Sequence, residues 1–139
     1  MAYKDVYASW QNDPEAFWLD AAKAIDWDQA PSKALTDKGG GLYEWFVDTK
    51  VNTCYNAVDR HVENGRGDQV AIIHDSPITD SVSKITYAEL QTRVASLAGA
   101  LRAKGVEKGD RVIIYMPMVP ETLDAMLACA RIGAIHSVV

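Results

Sequence analysis

The chain has 139 residues, a formal net charge of −5 and 48% hydrophobic residues. These values are typical of a folded globular protein and exclude a collagen-like repeat, a coiled coil and an intrinsically disordered chain. Because the sequence has neither an uncharged apolar run of about 18 residues nor a basic stripe, it predicts no membrane span and no nucleic-acid partner.

Charge and aromatic residues are distributed unevenly along the chain. Residues 1–69 carry a net charge of −5, whereas residues 70–139 carry none. Ten of the twelve aromatic residues lie within the first 55 positions. We therefore expect two stretches with different roles, an aromatic-rich, mainly helical N-terminal arm over residues 1–69 and an α/β region over residues 70–139.

Helix signals dominate the N-terminal arm. Residues 5–11 predict a short helix, and Asp13 followed by Pro14 predicts a second helix that runs to about residue 25. Residues 30–41 are polar and end in three glycines, which predicts a flexible loop rather than a phosphate-binding loop. Residues 52–63 return to helical spacing, and Gly65 is expected to end that helix.

The second half alternates strand and helix patterns. We expect a hairpin of strands at 70–74 and 84–87, a helix begun by the capping box of Thr86 and Glu89, and a strand at 111–116. A helix over 121–132 is apolar nearly all round, so we expect it to be the best-buried element. A last strand starts at residue 134. The order β-β-α-β-α-β predicts an α/β fold with a partly parallel sheet and right-handed crossovers.

Cysteine usage and the first residues indicate the cellular compartment. Cys54 and Cys129 lie far apart in apolar surroundings and outside any CxxC motif, which favours two reduced, packed thiols over one disulfide. The N-terminus lacks the basic and then apolar pattern of a secretion signal. We therefore expect a cytoplasmic protein.

Candidate chemical groups are few when the residues are considered alone. Asp59, Arg60 and His61 are adjacent on a helix and do not face each other, so a structural role is expected for them. His74 and His136 have no partner at metal-ligand spacing. The serines lack a nucleophile elbow, and no GxGxxG or GxxxxGK[ST] motif is present. The residues alone therefore assign no catalytic, substrate-binding or metal-binding position.

Two long segments carry a resemblance to a known family. Residues 108–121 (KGDRVIIYMPMVPE) and 125–139 (AMLACARIGAIHSVV) closely resemble short-chain acyl-CoA synthetases of the adenylate-forming superfamily. Residues 52–61, residues 85–90 and the tryptophan-containing N-terminal arm also resemble that family, so the resemblance covers essentially the whole chain. The amino-acid sequence of residues 54–77 is more similar to the propionyl-CoA synthetases than to the acetyl-CoA synthetases.

The resemblance implies a two-step ligase reaction. A small carboxylic acid attacks the α-phosphate of ATP with the help of Mg²⁺, and coenzyme A then displaces AMP from the acyl-adenylate. Family members are several times longer, and their phosphate loop, nucleotide contacts and catalytic lysine follow the position that matches residue 139. The resemblance thus implies an inactive N-terminal fragment without cofactors of its own, whose partner is the remainder of the enzyme chain.

Two other interpretations stay open at this point. A free-standing, non-catalytic α/β interaction module would share the same pattern. A nucleotide-binding oxidoreductase domain would need a GxGxxG motif after a strand, and that motif is missing. The apolar terminal strand and the tryptophan-rich arm together predict that the isolated chain exposes apolar surface and self-associates.

Overall fold

The computed structural model describes residues 2–139, which form two compact units, residues 2–51 and Asn52–Val139. The domain boundary expected between residues 69 and 70 stays a prediction. Residues of the helical stretch that follows position 52 belong to the core of the second unit, because Cys54 and Val58 are buried there.

The first unit begins with two helices, α1 (Tyr3–Asn12) and α2 (Pro14–Ala22). Both were predicted, and the predicted cap is present: the Asp13 carboxylate accepts a hydrogen bond from the Ala16 N–H at 3.0 Å. Asp13 thereby satisfies one of the free N–H groups at the start of α2. The second helix ends at Ala22, a turn earlier than expected.

The expected loop over residues 30–41 is wrong in its second half. Strands β1 (Leu35–Gly39) and β2 (Leu42–Trp45) pair antiparallel and form a hairpin. Gly39, Gly40 and Gly41 make the turn with φ angles of +81°, +63° and +80°, a conformation that glycine adopts without steric cost. The hairpin is largely exposed, so its residues show no apolar alternation that could have revealed it.

The second unit follows the predicted order of elements. A helical segment over residues 53–66 contains two wide π-helical stretches, Tyr55–Asp59 and Val62–Arg66, and Gly65 interrupts it with a φ of +76°. The remaining elements are β3 (Val70–Ser76), β4 (Ser81–Thr86), α3 (Tyr87–Ala103), β5 (Arg111–Ile114), α4 (Pro120–Ile132) and β6 (Ile135–Val138).

The capping box at the start of α3 is confirmed. The Thr86 hydroxyl accepts from the Glu89 N–H at 3.3 Å, and the Glu89 carboxylate accepts from the Thr86 N–H at 2.8 Å. These reciprocal bonds satisfy two backbone donors and fix where the chain turns from β4 into α3.

The predicted α/β fold with a partly parallel arrangement is confirmed. β5 and β6 are parallel, in register from Arg111 opposite Ile135 to Ile114 opposite Val138, with α4 as their crossover. β3 and β4 form an antiparallel pair. Within residues 2–139 the strands make separate two-stranded sheets and not one continuous sheet.

The core of the second unit lies where α3 and α4 pack together. Val94, Ala128 and Cys129 are completely buried there, and small side chains allow the two helices to approach closely. Both Cys54 and Cys129 are free thiols in this core, as expected.

As expected, α4 contributes more buried residues than any other element that the structure describes, but one of its faces is partly exposed. Thr122, Asp124, Ala128, Cys129 and Ile132 are buried, but Leu123 is 43% exposed, and Met126 and Leu127 are only half-buried. The apolar pattern of α4 could not show which face meets α3, because both faces carry apolar side chains. No helix among residues 2–139 is both long and apolar enough to cross a bilayer.

Candidate functional site

The carboxyl ends of the parallel strands form the first candidate site. β5 ends at Ile114 and β6 at Val138, and the Val139 N–H donates to the Ile114 carbonyl oxygen at 3.1 Å. Residues 115–119 then lead into the N-terminus of α4. Open α/β sheets bind ligands beyond the carboxyl ends of their strands. We call residues 114–120 with 138–139 the carboxyl edge.

The carboxyl edge presents large apolar side chains to solvent. Tyr115 is 87% exposed, Met118 is 91% exposed and Val139 is 65% exposed. A contiguous apolar surface of this kind is typical of an interface or of a ligand groove.

An apolar groove of about 390 Å³ lies beside this edge. Its walls come from β3, the 115–119 connection, α4 and the end of β6, and include Ile72, Ile73, Met118, Leu123, Met126 and Val138. Among the polar groups of the groove, the Thr122 hydroxyl already donates to the Pro117 carbonyl oxygen at 2.8 Å. The groove therefore suits an apolar occupant, and its Thr122 hydroxyl is already engaged with the backbone.

A polar cleft of about 530 Å³ shares His74, Val119 and Pro120 with the apolar groove. Two cations line it, Lys84 of β4 and Arg93 of α3. The Arg93 guanidinium lies 3.0 Å from Glu121 Oε1 and 2.8 Å from Asp124 Oδ2. Because two carboxylates neutralise Arg93, this side chain connects α3 to α4 and is not a free phosphate-binding group.

Glu89 lines the same cleft, and its charge is favoured by the capping box. The backbone N–H of Thr86 holds the pKa of the Glu89 carboxyl below its ordinary value, and the Thr86 side chain acts in the same direction. Glu89 is therefore ionised at neutral pH, as a helix cap requires.

Asp59 has the structural role that the sequence predicted. Its carboxylate accepts from the Arg131 guanidinium at 2.7 and 2.8 Å and from Gln91 Nε2 at 2.8 Å. Asn52 adds a bond from its side-chain amide to the Arg131 carbonyl oxygen at 3.1 Å. The π-helical stretch Tyr55–Asp59 is thus fastened to both α3 and α4.

The three adjacent residues 59–61 do not form a catalytic relay. Asp59 binds Arg131, Arg60 donates to the Asn56 side chain at 3.0 Å, and His61 Nδ1 lies 3.1 Å from an Arg66 nitrogen. Burial first, and then the positive charges of Arg66 and Arg60, lower the pKa of His61. A neutral imidazole at neutral pH follows, half-buried as expected.

The cysteines are not activated as nucleophiles. Burial raises the pKa of the Cys129 thiol. Burial also raises the pKa of the Cys54 thiol, and this effect is larger than the lowering by the nearby Arg131 charge. Since the thiolate is the reactive form, both side chains act as small core residues at neutral pH.

The other candidate residues stay apart from one another. The glycines at 39–41 form a hairpin turn, and His136 is half-buried on β6. Of the serines, Ser81 shares a hydrogen bond with Thr79 at 2.7 Å in the β3–β4 turn. In the part of the chain that the structure describes, no three His, Cys, Asp or Glu side chains come together as a metal site.

Sequence reasoning missed the ion pairs of α4. Asp124 has only 6% of its side chain exposed and binds Arg93, while Arg131 binds Asp59. The available signal was the presence of Asp124 and Arg131 inside an otherwise apolar helix. Because buried charges are nearly always paired, these two residues indicate ion pairs. That signal does not identify the partners, which lie 31 and 72 positions away in the sequence.

Two family models match consecutive parts of the chain. The model described as the acetyl-coenzyme A synthetase N-terminus matches residues 3–57, and the model described as AMP-binding enzyme matches residues 58–139.

Curated relatives and one solved structure extend these matches. The mitochondrial acyl-CoA synthetase short-chain family member 3 of Bos taurus is 52% identical over 137 residues, covering 99% of this chain and 20% of the relative. The acetyl-coenzyme A synthetase of Xanthobacter autotrophicus is 52% identical over 140 residues, covering 99% and 21%. Acetoacetyl-CoA synthetase from Streptomyces lividans superposes with a TM-score of 0.81 at 29% identity, covering 94% and 20%. The chain spans about a fifth of the length of these proteins.

Proposed function

Because the chain belongs to the AMP-binding enzyme family, we propose that it is the N-terminal part of an AMP-forming short-chain acyl-CoA synthetase. In the overall reaction, a carboxylic acid, ATP and coenzyme A are converted to acyl-CoA, AMP and pyrophosphate. The observation that carries the proposal is the pair of consecutive family matches over residues 3–139, together with relatives that are 52% identical to this chain over 99% of its length.

The described residues do not themselves fit ATP or Mg²⁺. Arg93, one of the two cations that line the polar cleft, is paired with Glu121 and Asp124, and these carboxylates would repel a phosphate. Residues 2–139 also bring no three metal-ligating side chains together. We therefore place the nucleotide, metal and coenzyme A sites in the four-fifths of the relatives' length that this chain does not span, and we assign this chain no catalytic residue.

The apolar groove and the carboxyl edge support a partnership with the remainder of the enzyme chain. Their exposed residues include Ile73 and Met118, which a covering segment would remove from water. In this proposal the 139 residues act as a scaffold that positions the β5–β6 pair for the rest of the sheet.

We propose a short acid as the substrate, with propionate ahead of acetate. The relatives named as short-chain and acetyl-coenzyme A synthetases support the short acid. The proposed preference for propionate is based on the amino-acid sequence of residues 54–77. A steady-state comparison of acetate, propionate, butyrate and palmitate with the complete protein tests both statements. We expect the highest kcat/KM with propionate; an optimum with palmitate would contradict the proposal.

The chain by itself is proposed to be inactive. Carboxylate-dependent exchange of labelled pyrophosphate into ATP should stay at background with the 139 residues and rise with the complete protein as the positive control. Exchange above background by the short chain would show that we have misplaced the nucleotide site.

A second candidate function is a non-catalytic interaction module that self-associates. It is favoured by the open face of the β5–β6 pair, where Ile113 is 64% exposed and Ile135 is 58% exposed. We expect light scattering of the short chain to show a mass that rises with concentration, and Ile135→Lys to abolish the rise. Ile78→Lys, at a 94% exposed position in the hairpin turn, is the control. A strictly monomeric chain would argue against association by this face.

We also propose a cytoplasmic location. The relatives described as mitochondrial give the opposite expectation, so cell fractionation with an antibody to the complete protein distinguishes the two.

A further inference from the structure

The first unit contains an aromatic groove that the proposed ligase reaction does not use. It has a volume of about 560 Å³, and its walls are Trp10 of α1, Trp18 of α2 and Trp45 of β2. The Trp18 and Trp45 rings lie 5.2 Å apart at an angle of 80°, so they form two nearly perpendicular walls. We call this feature the tryptophan groove.

The rim of the tryptophan groove is acidic. Asp13 and Glu15 line it, and no lysine or arginine does. Hydrogen bonds fix both carboxylates: one Asp13 oxygen accepts from the Ala16 N–H at 3.0 Å, and Glu15 Oε1 accepts from the Ala34 N–H at 2.6 Å. Residues 1–51 as a whole carry five lysines and nine acidic residues, a net charge of −4.

A smaller pocket shares two wall residues with the tryptophan groove. It measures about 360 Å³, shares Trp10 and Trp18 with the tryptophan groove, and is otherwise lined by Tyr3, Val6, Tyr7 and Phe17. An occupant that fills both pockets therefore needs a positive group on one side and an apolar group on the other.

We propose that the tryptophan groove binds a peptide segment of a partner protein that carries arginine next to an apolar side chain. A guanidinium group stacks on indole faces and pairs with carboxylates in the same position, and arginine is the cation that proteins most often place over tryptophan. The apolar neighbour occupies the smaller pocket. Two pockets with different linings, one with an acidic rim and one apolar, favour a peptide with two different side chains over a small organic cation.

The test uses two short peptides and the indole N–H resonances of the chain. Acetyl-Leu-Arg-Gly-Arg-amide is titrated against acetyl-Leu-Gln-Gly-Gln-amide, which matches it in size but has no charge. We expect saturable shifts of the Trp10, Trp18 and Trp45 resonances with the arginine peptide and at least tenfold weaker binding of the glutamine peptide. Trp27 is the internal control, because its Nε1–H donates to the Ala22 carbonyl oxygen at 2.8 Å and its ring packs on Phe46.

Charge-removing variants test the acidic rim without removing the groove. The double variant Asp13→Asn with Glu15→Gln keeps a helix cap and a hydrogen-bond acceptor, so it should fold normally. We expect it to bind the arginine peptide at least fivefold more weakly. Asp20→Asn removes the same kind of charge from α2 outside the groove and should bind unchanged.

Several results would overturn this proposal. Equal binding of both peptides, unchanged binding by the double variant, or no shift at all would each show that the groove does not recognise a guanidinium group. Shifts that depend on protein concentration without peptide would identify a second copy as the occupant. Protection of the same three indoles from a quencher in the complete protein would identify the rest of that chain as the occupant.

Discussion

Replacing Asp59 by asparagine tests how strongly the buried ion pair holds the second unit together. Asparagine has nearly the same shape and can still accept from Gln91, but it removes the charge that faces Arg131. The Asp59 side chain is 10% exposed and that of Arg131 is 25% exposed, so little water can replace the lost partner. Arg131 Nε is already buried without a partner, and the guanidinium has no alternative carboxylate to turn to.

The expected loss is about 2–3 kcal/mol in the free energy of unfolding. Removing one member of a fully buried pair costs about 3–5 kcal/mol, and the partial exposure of Arg131 reduces that value. For a chain of this size, the midpoint of urea unfolding should fall by about 1 M.

Urea unfolding at pH 7, followed by far-ultraviolet circular dichroism, measures the effect. Arg131→Leu and the double variant with Asp59→Asn complete a mutant cycle, in which we expect the double variant to lose clearly less stability than the sum of the single variants. Asp20→Asn, which breaks an exposed pair with Lys23 at 2.8 Å, should leave the urea midpoint almost unchanged, because water solvates both charges in the folded chain. A loss below about 0.5 kcal/mol for Asp59→Asn, or additive single variants, would refute the reasoning.

Three further predictions follow from individual contacts. Glu89→Gln should make the free energy of unfolding fall less steeply on acidification, because the pKa of Glu89 is lower in the folded chain than its ordinary value. The contribution of Glu89 to stability is complete above the ordinary pKa of 4.5 and disappears as the pH falls through the lower pKa of the folded chain. Urea midpoints between pH 3 and 7 check this, and parallel curves would contradict it. Gly133→Ala should destabilise by about 1–2 kcal/mol, since φ is +78° and the added Cβ would lie 2.9 Å from Lys108 Cγ; Gly99→Ala, with open space around it, should raise the melting temperature. Ala128→Asp, at a fully buried position, should prevent folding, whereas Leu123→Asp, at a position that is 43% exposed, should leave soluble protein. Solubility and thermal melting separate the two variants, and equal damage would mean that the burial of α4 is more uniform than we describe.

Local sequence signals determined most of the secondary structure. The Asp13–Pro14 start of α2, the capping box at Thr86 and the turn at Gly133 each depend on backbone geometry within a few residues. Such signals are readable without knowing the rest of the fold, and so the β-β-α-β-α-β order was predicted correctly. The hairpin of β1 and β2 escaped prediction because it is exposed and has no apolar alternation.

The family, too, was readable from the sequence, because the matching segments extend along almost the whole chain. Only the tertiary structure decided which face of α4 is buried and which charges pair. Asp59 pairs with Arg131 across a separation of 72 positions in the sequence, and Arg93 pairs with Asp124 across 31 positions. Trp10, Trp18 and Trp45 likewise become one groove only when α1, α2 and β2 pack together. These contacts depend on how elements distant in sequence pack in space, and local propensity and periodicity contain no information about that.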